Sequence, residues 1–117
     1  MEYITITGRI KEIYGLARIA SGLCGAPSFL IKLGHVSDCL ILSNHDHGHP
    51  LTGEVVVETK LDSSEAWEIH NGLRHGEIVE GDVYQFWCHI DQKSRANIID
   101  SFEWVRTEGV MSIWSNN

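Results

Sequence analysis

The stretch Tyr3-Ile4-Thr5-Ile6-Thr7-Gly8-Arg9-Ile10-Lys11-Glu12-Ile13 decides how the chain folds. Successive side chains of a strand point to opposite faces, so Ile4, Ile6, Gly8 and Ile10 share one face and Thr5, Thr7, Arg9 and Lys11 the other. Glu12 breaks that parity and Ile13 restores an apolar position one step late, as a β-bulge does. Gly8 stands where a strand can bend sharply without a side-chain clash. A half-buried, bent first strand suits a small barrel.

Working outward, residues 15–27 hold three glycines and a proline among small apolar residues, which predicts a long mobile hairpin loop. Phe29, Ile31 and Leu33 alternate in a second strand. Asp38-Cys39-Leu40-Ile41-Leu42 gives a third after a turn over residues 34–37, and both are expected to be well buried. Gly53 introduces a β-branched run, residues 54–60, with charges at Glu54, Glu58 and Lys60 on one face. Asp62 and Glu65 fit the reciprocal capping pattern, and Ala66, Ile69 and Leu73 recur at helical spacing, predicting a helix over residues 63–71. Glu80-Gly81-Asp82 leads into the strongest strand, with Tyr84, Phe86, Cys88 and Ile90 towards the core and Val83, Gln85, Trp87 and His89 away from it. Residues 91–96 are polar turn material. Asn97 to Val105 form a last strand in which Ile98, Phe102 and Trp104 share a face with Asp100.

The expected architecture is mainly β: a small antiparallel barrel of five to six strands with one short helix. A single domain spans residues 1–108, and residues 109–117 form a tail or an extra edge strand. The bent strand carrying Gly8, the helix ahead of the fourth core strand, and the entry Glu80-Gly81-Asp82-Val83-Tyr84 resemble the oligonucleotide/oligosaccharide-binding (OB) fold. The resemblance covers most of residues 3–105 and is topological, without a diagnostic motif. The run at 54–60 lies outside the five-strand minimum, and an antiparallel sheet with one packed helix fits nearly as well. The resemblance implies a ligand surface on the second and third strands and on the loops at 15–27 and 91–96. Fold alone does not name the ligand.

Of the 117 residues, 43% are hydrophobic and 21% charged, as in ordinary globular domains, and no run approaches the roughly 18 apolar residues of a membrane helix. The first residues carry no secretory signal, so the expected location is the cytoplasm. Cys24, Cys39 and Cys88 are odd in number and never paired as C-x-x-C, which argues against a disulfide framework or a thiolate zinc site. Cys88 and His89 are neighbours on a strand and should face opposite sides, so they do not make a nucleophile and base. No phosphate loop, nucleophile elbow or H-E-x-x-H pair is present, and the chain reads as no enzyme and as needing no cofactor.

Three readings of function remain. The first is a non-enzymatic module that engages a protein partner, or a second copy of itself, through a sheet edge, the 15–27 loop or the apolar Val110, Met111, Ile113 and Trp114 near the carboxyl end. The second is single-stranded nucleic-acid binding. Net charge is −7, but residues 1–34 carry +2 and the remainder −9, so a polyanion would have to use Arg9, Lys11, Arg18 and Lys32, with Trp87 as a stacking surface. The third is a metal site, zinc being the candidate ion, at His45, His47 and His49 in Ser43-Asn44-His45-Asp46-His47-Gly48-His49-Pro50. Residues two apart on a strand share a face, but the third imidazole reaches the ion only if Gly48 and Pro50 curl the chain.

Overall fold

The computed structural model describes residues 2–16, 25–43 and 53–105. Its strands are β1 (Tyr3–Arg9), β2 (Glu12–Gly15), β3 (Phe29–His35), β4 (Leu40–Ser43), β5 (Glu54–Glu58), β6 (Val83–Ile90) and β7 (Asn97–Val105). A single 3-10 turn at Val36–Asp38 separates β3 from β4, and one helix, α1 (Ser64–Arg74), separates β5 from β6. The strands form one sheet in the order β2-β3-β5-β7-β6-β1-β4.

Among the described residues the chain is therefore mainly β with one helix, but with seven strands in an open mixed sheet in place of five or six in a closed antiparallel barrel. One local cause accounts for the strand beyond six. Parity is lost at Ile10–Lys11, which divides the first run into β1, paired with β6, and β2, paired with β3. Backbone hydrogen bonds from Ile10 N to Asp82 O and from Lys11 N to Lys32 O, both 2.8 Å, hold the two residues of the bend to different neighbours. The expected third strand is β4, which turns away from β3 and lies antiparallel on the far side of β1 from β6, Thr5 opposite Leu42 and Thr7 opposite Leu40. The sheet is mixed because the chain leaves β5 through α1 and runs up β6. It then returns down β7 parallel to β5, with Glu58 opposite Ile98.

Ile4, Ile6, Ile31, Leu33, Val55, Val57 and Phe86 are buried in one cluster, onto which α1 lays Ala66 and Ile69. Each such aliphatic side chain contributes about 1.5–3 kcal/mol on leaving water. The glycine expected to ease the bend has a packing reason as well. A Cβ on Gly8 would lie 3.0 Å from Cys39 Sγ and 3.4 Å from Leu33 Cβ, so the approach of the segment leading into β4 depends on its absence.

Three local expectations need correction. The helix is capped by Ser63, whose hydroxyl accepts from Ala66 N at 3.1 Å, and runs to Arg74. Asp62 instead sits in the left-handed region (φ 59°), and its carboxylate accepts from Trp67 Nε1 at 2.7 Å. Gly72 continues the helix because Ile78 folds back onto it. The last strand changes parity: Trp87 pairs with Ser101 but Cys88 with Ile99, so Asp100 is an extra residue at a bulge. Ile99 thereby joins the core and Ile98 pairs with His89 on the outer face. Finally, β4 is mostly exposed: it ends the sheet order, and among the described residues no helix lies over it.

Candidate functional site

Across a ladder, directly opposed residues project from the same face. The pairings Leu42–Thr5–Trp87–Ser101 and Leu40–Thr7–Gln85–Glu103 therefore define two rows running from β4 through β1 and β6 to β7 on the outer face. A third row, Tyr3–His89–Ile98, lies beside the first. With strands about 4.8 Å apart, Leu42 and Trp87 lie about 10 Å apart, separated only by a threonine.

This face is unusually apolar at its β4 end. Leu42 is 71% exposed, Tyr3 51% and Leu40 39%. Trp87 is half-buried, as its position opposite the core residues Phe86 and Cys88 requires. The polar punctuation is His89, whose Nδ1 lies 2.7 Å from Oδ1 of the bulge residue Asp100. The sequence missed this pair because it depends on the bulge, which brings Asp100 beside a residue eleven positions away. Cys88 and His89 do point to opposite faces: burial pushes the Cys88 thiol up to about 12, with the Asp100 charge adding to it, and removes it as a nucleophile. Cys39 is raised to about 11, mainly by burial, and its Sγ–H donates to the Leu33 carbonyl at 3.6 Å.

The opposite part of the sheet carries the surface that the OB resemblance singles out. Tyr14, Leu30 and Glu58 form one row across β2, β3 and β5, and Glu12, Lys32 and Val56 the next. Lys32 Nζ is 3.3 Å from a Glu54 carboxylate oxygen and 5.3 Å from the Tyr14 ring centroid, and Tyr14 donates its hydroxyl to Glu12. Its ammonium is held charged first by the Glu54 hydrogen bond and Coulomb attraction. Glu54 and Glu12 thus counter the charge of Lys32 on this face.

Among the residues expected to gather a polyanion, Arg9 turns its guanidinium to the Gly81 carbonyl. It stands opposite Val83, four positions, about 13 Å, along β6 from Trp87. Lys11 neighbours Lys32 through its backbone. Arg18 lies outside the described residues, as do His45, His47 and His49 and the apolar set Val110, Met111, Ile113 and Trp114. Among the described residues, no group of three His, Cys, Asp or Glu side chains is placed to hold a metal ion. No helix among them is long and apolar enough to cross a membrane. Compared with protein-family models, with curated proteins and with solved structures, the chain has no match.

Proposed function

We propose that the protein is a non-enzymatic binding module that takes up an extended segment of a protein partner along β4. One observation carries this reading: the last strand in the sheet order presents its most exposed large apolar side chain, Leu42, in line with Thr5 and Trp87. An added strand would continue the ladder through the outward-pointing backbone groups of β4 and cover Leu40 and Leu42, which together are worth about 3–6 kcal/mol if fully buried.

The OB-like reading accompanies this proposal. It rests on residues 3–15, which supply strands to both sides of the order β2-β3-β5-β7-β6-β1, and on α1 preceding β6. The β2-β3-β5 face, with Glu12 and Glu54 countering Lys32, favours a partner other than a polyanion. The experiment is hydrogen exchange of the β4 amides with and without partner, or with protein concentration if the partner is a second copy. Slower exchange at residues 40–43 supports strand addition. Binding that leaves these amides unprotected overturns it.

A further inference from the structure

On the side of the sheet that α1 packs against, far from β4 in the strand order, the end of β7 and the helix leave an open groove of about 440 Å³. Its floor is aromatic: Tyr84, Phe102 and Trp104. The ring centroids of Tyr84 and Phe102 are 5.9 Å apart, and Trp104 is 53% exposed at the mouth. Two carboxylates, Glu68 from α1 and Glu77 from the turn after it, line the same groove, and among the described residues no Lys, Arg or His does. Neither is paired with a cation among the described residues. The phenol of Tyr84 registers the same field: its pKa is raised first by burial and then by the charges of Asp82 and Glu77.

Aromatic faces carry negative quadrupoles and attract a guanidinium or ammonium, more strongly where carboxylates supply the counter-charge. An apolar stem lying on Phe102 and Trp104 with its cationic head among the glutamates satisfies both halves of the groove. We propose that this groove docks a basic, amphipathic peptide segment of another protein, seating an arginine or lysine over Trp104 beside Glu68 and Glu77. The site is separate from β4, so partner uptake at the edge and basic-peptide docking here are independent.

The test uses the full chain and a fluorescent heptapeptide alternating arginine and leucine, with its glutamate counterpart as a control, read by anisotropy. The expected result is saturable binding of the arginine peptide alone. It should weaken by about tenfold in Glu68→Gln with Glu77→Gln and comparably in Trp104→Ala. Glu12→Gln with Glu54→Gln removes the same charge from the other face and should leave affinity within about twofold, since exposed charges beyond a Debye length are screened. Absence of binding at about 50 mM salt overturns the proposal. Equal loss in the two double variants overturns it too, as the protein's overall charge would then be the cause. Equal displacement by free spermidine would reassign the groove to small polycations. Light scattering that shows a dimer abolished by the groove variants would reassign it to a second copy.

Discussion

Asn97 Nδ2 donates to the Val56 carbonyl at 3.0 Å, joining the first residue of β7 to the middle of β5 across 41 positions of sequence. Only Glu58 and Ile98 are in register between these two strands. The side chain therefore performs part of the work that a longer ladder would perform, and it does so while buried. Asn97→Ala leaves the Val56 carbonyl without this donor and should cost about 1–3 kcal/mol, measured by urea denaturation. A variant as stable as the parent would show that the two strands are held by packing alone.

Gly72, one residue past the expected end of the helix, has the least room for a side chain of the glycines among the described residues. A Cβ there would stand 2.5 Å from Ile78 Cδ1 and 2.6 Å from its Cγ1. Gly72→Ala should lower stability by about 1–3 kcal/mol even though alanine is the better helix former, because overpacking outweighs a propensity gain of about 1 kcal/mol. Pairing it with Ile78→Val should recover part of the loss in a double-mutant cycle.

Ser63 caps α1 through Ala66 N, and Ser63→Ala should cost about 1 kcal/mol in thermal or chemical unfolding. Asp62→Ala should cost less at the cap, while freeing the Trp67 indole from the carboxylate that it now donates to. A change in tryptophan emission would report that release.

Cys39 and Cys88 should resist alkylation in the native protein at pH 8 and react once it is unfolded. The same shifts set a pH dependence. The folded thiols are raised from an ordinary value of 9.0 to about 11 and about 12, so between pH 9 and these values the folded state holds more protons than the unfolded one. Stability is then fully present below pH 9 and falls as pH rises through that window. A Cys39→Ser, Cys88→Ala double variant should show a flatter alkaline limb in its unfolding profile.

Leu42→Lys should leave the melting temperature nearly unchanged, since the side chain is already mostly in water, and should abolish association through β4. Size-exclusion and hydrogen-exchange measurements of the variant with and without partner check both halves.

Period-two alternation made the strands legible wherever both faces differ strongly, as in β1 and β6, where the isoleucines and the Tyr84, Phe86, Cys88 series mark the core. Partner choice was not legible. Nothing local in Leu40–Ser43 announces that it lies on β1 in place of β3, and its apolar run reads as buried whereas at the end of the sheet order it is mostly exposed. The bulge at Asp100 is equally silent, because a single unpaired residue shifts every later side chain to the other face without changing composition. The groove combines residues from α1, the turn after it and β7, and only the fold brings them together. Of the interaction residues proposed from sequence, Trp87 stands on the outer face opposite the core residues of β6, and the carboxyl-terminal set lies outside the described residues.

The run of residues 3–15 supplies both β1 and β2, yet β1 acquires its β6 neighbour only after residue 90 has been made. During synthesis the oldest strand of the domain therefore stays half-matched while some eighty residues follow it, with Ile4, Ile6 and Ile10 without their final cover. Contacts so distant in sequence slow folding and extend the life of sticky intermediates. Threonine at positions 5 and 7, where β1 turns outward, keeps that waiting ribbon wet on one side.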